Sequence, residues 1–256
     1  MSSLEYVDVA TARAARGTRI ITSALVASPW SEAAKGMFVV ANLPALVVGR
    51  PRDAADITQW TGVDNVPVVL HDDEPARTNW AAIVGLASRL AGPDVLVPSD
   101  PEQRSALMGL VELVAGEQGL GWNARLSMIH ASFESEGKRG FSLPVAGYLA
   151  KRYGHTRSLD TDALRGRVAN QLRILDEKLT GSYFAGTRPG ALDVYAATFL
   201  TPLTVIDDAV CPQMAPPIRT AFAAAKDLLG DLVPARLWAH RTMMFERHLA
   251  LPIRLA

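Results

Sequence analysis

The chain has 256 residues, 49% of them hydrophobic, and its 26 basic and 26 acidic side chains cancel to no net charge. That composition supplies a sizeable core and excludes disorder, while the charge balance speaks against a nucleic-acid backbone or an anionic membrane surface as partner. A single cysteine, Cys211, excludes an internal disulfide framework and fits a reducing compartment, so a cytoplasmic protein is expected.

The opening residues, MSSLEYVDVATARAARG, carry acids early and no long apolar run, so they do not read as a signal peptide. Residues 1–18 are set aside as an N-terminal extension. The longest apolar run, Val194 to Ile206, contains Thr198, Thr201 and Pro202 and is too short to span a bilayer. A first strand is expected over Ile20 to Ala27, where Ile20, Ile21, Leu25 and Val26 are apolar and partly β-branched. It breaks at Ser28-Pro29, and Trp30 to Asn42 reads as a helix burying Ala33, Ala34, Met37 and Phe38. Ser28 suits an N-cap and Pro29 the first helical position, which puts a hydroxyl at the open N-terminus of a helix. Such a terminus stabilises an anion or a thiolate placed against it. An ordinary helix begins the same way.

Ala45 to Gly49 reads as a second strand, and Asp53 to Trp60 as one or two turns of helix. In the next apolar stretch, Asn65 to Leu70, Pro67 belongs at an edge or in a tight turn, where cis peptides occur. After a turn at His71-Asp72-Asp73, a brief edge strand through Ala76 and a helix over Asn79 to Leu90 follow. The order is β-α-β-α-β-β-α, a small α/β sandwich over residues 19–91. Residues 92–100, rich in proline, form a linker. Asp100, Pro101 and Gln103 then start a helix, and the helical period persists to Ala256. Stripes run through Leu107 to Val114, Trp122 to Phe133 and Leu164 to Leu179, with further helices over Ala191 to Leu200, Ile218 to Leu229 and Ala235 to Leu249. Residues 101–256 are an all-helical domain.

With these elements in order, the chain resembles the glutathione S-transferase superfamily, in which an α/β thioredoxin-like N-terminal domain precedes an all-α C-terminal domain. Ser28-Pro29-Trp30-Ser31 stands where thioredoxin-fold proteins carry a Cys-x-x-Cys motif, and Val66-Pro67 is similar to the family's cis-proline turn. The segment Phe184 to Asp193 resembles a core element of the family's helical domain, with Gly190 as the cap and Asp193 three residues on. The chain looks nearest to a bacterial group with a similar extension and an SPW or GPW turn. The resemblance implies that glutathione is the co-substrate and that Ser28, with Ser31 second, activates its thiol for attack on a hydrophobic electrophile. Trp30 would shape the pocket wall, and Val66, before Pro67, would offer its main chain to the tripeptide.

The family's acid-serine pair, which receives the γ-glutamyl end of glutathione, is replaced here by Asn79-Trp80; Arg77 and Thr78 stand nearby to meet a carboxylate. Trp122, Arg125, Met128 and Ile129 would line the electrophile pocket, and they read equally as core residues. A homodimer is implied by the resemblance alone. The alternative is a non-catalytic module of the same fold with a degenerate glutathione site, holding a ligand or a protein. No tight metal spacing joins His71, His130, His155, His240 and His248, so no metal is expected. Cys211 reads as a plain buried or loop cysteine. Asp207-Asp208 reads as a solvated pair, and Tyr148, Lys151, Arg152 and Tyr153 as a solvated helix face.

Overall fold

The computed structural model describes residues 3–51 and 54–256; Asp53, expected to open a helix, lies outside them. Four strands, β1 (Leu4–Tyr6), β2 (Thr18–Ser23), β3 (Ala45–Arg50) and β4 (Val68–His71), form one sheet in the order β1-β3-β2-β4. β1 and β2 run parallel to β3, and β4 runs antiparallel to β2, with Ile21 opposite Val68 and Thr18 opposite His71. Alternation along β2 divides its apolar side chains between the two faces. Ile20 joins the core under the helices α2 (Pro29–Val40) and α4 (Trp80–Ala91), while Ile21 packs with Ile57 of α3 (Ala55–Thr61) and Val68. The thioredoxin-like layer expected from the sequence is present.

Three local readings change. Residues 3–14, set aside as an extension, supply the edge strand β1 and a short helix, α1 (Val9–Ala14). The first strand ends at Ser23, because Leu25 takes a φ of +55° and is 51% exposed; its apolar side chain mimicked a strand that the backbone does not make. The brief strand expected after His71 is a single bridge between Val69 and Arg77.

The helical half comprises α5 (Pro101–Ala115), α6 (Leu120–Glu134), α7 (Leu143–Tyr153), α8 (Thr161–Lys178), α9 (Ala191–Phe199), α10 (Pro216–Leu229) and α11 (Ala235–Arg247). Local capping sets several starts. Asp100 accepts from Gln103 N at 2.9 Å, Asp160 from Asp162 N and Ala163 N, and Asn79 from Ala82 N. Helix α9 is buried along its whole length and packs against α2, α5 and α11, so it forms the axis of this half. Gly36 on α2 permits that approach, since a methyl there would lie 2.7 Å from Val194 Cγ1. The last residues cross back over the first half: Lys35 Nζ donates to Arg254 O at 2.8 Å, and Leu25 N to Ala256 O at 3.3 Å. Among the described residues no helix is long and apolar enough to cross a membrane.

Candidate functional site

Ser28 has extended backbone (φ −66°, ψ 126°), and Pro29 begins α2 directly after it. The Ser28 carbonyl accepts the first helical bond from Glu32 N at 2.8 Å, but its hydroxyl caps nothing. The first N–H groups of α2 therefore have neither a helical partner nor a side-chain cap. Ser28 lines a cavity of about 510 Å³ where the α/β half meets the helical half. That volume lies within the range of small-molecule sites.

Val66 and Pro67, joined by a cis peptide, line the same cavity, as do Thr78, Asn79 and Trp80 at the start of α4. The ladder from β4 to β2 ends at Val68, so the main chain of Val66 lies beyond its last pair. The Asn79 carbonyl oxygen is spent capping its own helix, while the Trp80 ring meets Tyr195 edge-on at 6.5 Å. Burial pushes the Tyr195 phenol up, so it keeps its proton. Trp30 is fixed from two sides: its indole N–H donates to Ala115 O at 3.0 Å, and its ring packs edge-on against Phe199 at 4.8 Å. Gly121 makes room for both rings, because a methyl there would lie 2.4 Å from Phe199 and 3.0 Å from Trp30. Gly121→Ala is accordingly expected to cost about 1–3 kcal/mol in urea unfolding and to shift the emission of Trp30.

The opposite wall comes from the helical half. Trp122 donates its indole N–H to Tyr153 O at 3.2 Å and packs its ring against Tyr153 at 4.5 Å. Arg125, one turn on, holds its guanidinium over the rings of Phe141 at 5.2 Å and Tyr153 at 6.0 Å. Val145, Tyr148, Leu149 and Arg152 of α7 complete this wall.

Of the residues singled out from the sequence, the cavity brings together Ser28, Trp30, Val66, Pro67, Thr78, Asn79, Trp80, Trp122 and Arg125. Four others lie outside it. Ser31 is fully buried with its hydroxyl unpaired, and Met128 and Ile129 are core. Arg77 is not part of the lining, and its guanidinium pairs with Glu74 at 2.7 Å, which also takes Arg89 at 2.6 Å. Conversely, Tyr148, Arg152 and Tyr153, read as a solvated face, line the cavity. The spacing of 145, 148, 149 and 152 is one helical face and was the available signal.

Among the described residues no three potential metal ligands converge. The fold does bring two dispersed histidines together, His130 Nδ1 lying 3.3 Å from His155 Nε2, and burial with this neighbour lowers the His155 pKa. Cys211 is buried, and burial pushes its thiol up. Asp208 is not merely solvated; it pairs with Arg219 at 2.8 Å, while Asp207 accepts from Val210 N.

A four-stranded mixed sheet followed by a helical domain built on a buried α9 is the glutathione S-transferase fold, and this chain has it. It is similar to a glutathione S-transferase domain-containing protein of Marinobacter aquaeolei VT8, at 16% identity over 90% of this chain and 98% of that one, with a TM-score of 0.61. It is also similar to glutathione transferase Omega 3C of Trametes versicolor (13% identity, 94% and 96% covered, TM-score 0.54). A third similar structure is a glutathione S-transferase of Methylobacterium radiotolerans in complex with glutathione sulfonate (18% identity, 85% and 94% covered, TM-score 0.50). No protein-family model and no curated protein matches the chain.

Proposed function

We propose that the protein is a glutathione transferase-like enzyme whose cavity binds glutathione and activates its thiol for attack on a hydrophobic electrophile. One observation carries this reading: the uncapped N-terminus of α2, with the free Ser28 hydroxyl, shares a cavity with Val66-Pro67 and the start of α4. The similar protein of Methylobacterium radiotolerans holds glutathione sulfonate, which supports a tripeptide ligand for this fold. Glutathione would supply the nucleophile: its thiol proton passes to water, the sulfur–carbon bond forms, and the leaving group departs with the bonding pair. Ser28 donates a hydrogen bond to the thiolate, and the α2 terminus adds partial positive charge. Val66 pairs main chain to main chain with the cysteinyl unit, as an added strand would. The N–H groups at the start of α4 and the Asn79 carboxamide receive the γ-glutamyl end.

Calorimetric titration with reduced glutathione tests this. Binding at or below about 1 mM, roughly −4 kcal/mol, is expected. In Ser28→Ala the bound thiol's pKa, followed by thiolate absorbance, is expected to rise by about one to two units, the worth of one hydrogen bond to a charged group. Absence of heat and of thermal shift at high glutathione would remove the transferase reading.

A specific observation favours the second reading, a non-catalytic ligand- or protein-binding module. Trp80 stands where a hydroxyl is expected, the Asn79 oxygen is already spent, and Arg77 is tied to Glu74. That reading predicts no thiol activation, and the same titration separates the two.

A further inference from the structure

We propose that the helical wall of the cavity selects an acceptor bearing an anionic group, a carboxylate or sulfonate, on a flat apolar frame, with Arg125 as the specificity-determining residue. The inference rests on the transferase reading above, which leaves the chemistry of the acceptor open.

Arg125 is partly buried, and its Nε is fully enclosed without a hydrogen-bond partner. Among the described residues no carboxylate pairs with it. Arg19, Arg50 and Arg241 also enclose an unpartnered Nε, but each places terminal nitrogens on an acceptor. Arg19 reaches the carbonyls of Gly17 and Asp72, Arg50 the Thr58 hydroxyl and Arg241 the Thr201 hydroxyl, whereas no hydrogen bond joins Arg125 to any described residue. A cation withdrawn from water needs a counter-charge, and the faces of Phe141 and Tyr153 supply only part of one. What they do is hold the guanidinium plane within a cavity that it lines. Its remaining donors form a planar fork suited to two oxygens of one anion. The other charged residues of the lining are Glu117 and Arg152, both exposed, so cations outnumber acids there.

The apolar part of the ligand follows from the rings. Trp122 and Tyr153 pack at 4.5 Å, and Trp30 lies 6.5 Å from Tyr153. Tyr153 thus lies between the Arg125 guanidinium and Trp30, the ring two residues after Ser28. A flat ligand on this aromatic wall would set its anion at Arg125 and its reacting end toward α2. The tripeptide, in contrast, is assigned to the α/β wall, where Val66 and Asn79 lie.

The test uses two probes of one shape, 2-naphthoate and the neutral 2-naphthamide, followed by quenching of tryptophan fluorescence, beside calorimetry with glutathione. Wild-type protein is expected to bind naphthoate at least about tenfold more tightly than naphthamide. Arg125→Gln is expected to bring that ratio to about one through naphthoate alone, with naphthamide and glutathione affinities unchanged. Unchanged naphthamide binding shows that the cavity is intact. If Arg125→Gln loses both probes, Arg125→Lys, which keeps the cation, decides by whether the preference survives. Equal affinity of wild type for the two probes overturns the proposal, and so does absence of naphthoate binding. A preference unaffected by Arg125→Gln also overturns it. Weakened glutathione binding in Arg125→Gln with the naphthoate preference retained would give the guanidinium to the tripeptide and overturn it too. Loss of glutathione binding in wild type, with the naphthoate preference intact, instead removes only the transferase reading.

Discussion

Asp193→Ala is expected to destabilise the protein by about 3–5 kcal/mol, seen as a lower urea midpoint at unchanged slope. The carboxylate is almost wholly buried in the first turn of α9 and serves three donors. Oδ2 accepts from Gly190 N at 2.9 Å, while Oδ1 accepts from Phe184 N at 3.1 Å and from His240 Nε2 at 2.9 Å. One side chain therefore fastens the loop before α9, the start of α9 itself and the middle of α11. A carboxylate only accepts, so Nε2 carries the hydrogen, and Nδ1 of His240 is left enclosed without a partner. Alanine would strand two main-chain N–H groups and one imidazole N–H where water does not reach easily, at about 1–3 kcal/mol each before relaxation. Asp193→Asn keeps the Oδ1 acceptor and turns a donor toward Gly190, so a loss of about 1–3 kcal/mol is expected. A change below about 1 kcal/mol in the alanine variant would show that the three contacts do not act as a fastening.

This fastening also marks how far the sequence could be read. The pairing of Asp193 with the main chain of Gly190 is local, three residues apart, and was visible through the resemblance. His240 lies 47 residues further on, and no spacing rule connects it. The same division runs through the site. Asp100 was legible because a cap joins a side chain to an N–H group three residues away, and Ser28 was legible by its place before Pro29 alone, since its hydroxyl makes no cap bond. The pocket wall was half legible. Helix α6 is buried nearly all round, including Asn123, Ser127 and Ser132, so its pattern does not say which side meets a cavity. Trp122 and Arg125 were therefore grouped with Met128 and Ile129, which are core.

Helix α7 was read in part. Tyr148 and Arg152 are exposed, as their pattern suggests, and the pattern alone does not show that the solvent they face is that of a cavity. The edge strand β1 was missed because three residues, Leu4 to Tyr6, carry too little pattern, and only the partner Ala45 to Val47 makes them a strand.

The second large effect lies behind the site, on the far side of α2. Lys35→Met is expected to cost about 3–5 kcal/mol, whereas the double variant Glu32→Leu/Lys35→Met is expected to recover most of the loss. Glu32 and Lys35 pair at 2.9 Å with side-chain exposures of only 10% and 6%. Lys35 Nζ also donates to Arg254 O at 2.8 Å and to the Tyr6 hydroxyl at 3.4 Å, so it joins α2 to β1 and to the C-terminal segment. Burial works against the Lys35 ammonium, but the Glu32 carboxylate and Tyr6 outweigh it and hold its pKa above the ordinary lysine value. Burial pushes the Glu32 carboxyl up, with Lys35 opposing.

Removing Lys35 leaves that burial unopposed, which fixes the sign of a pH effect. A carboxyl with a folded-state pKa above its unfolded value makes the native state bind more protons between the two. Stability then falls as pH rises through that interval, so the Lys35→Met deficit should be smaller near pH 5 than near pH 8. In the double variant both charges are gone and this dependence should vanish. If single and double variants were equally destabilised at both pH values, packing rather than a stranded carboxylate would be the cause. The outcome bears on the cavity as well, because Glu32 N bonds to the Ser28 carbonyl at 2.8 Å, one turn from the proposed thiol site. Glutathione affinity in the double variant should match wild type, since the tail braces α2 from behind and Ser28 acts from its open end.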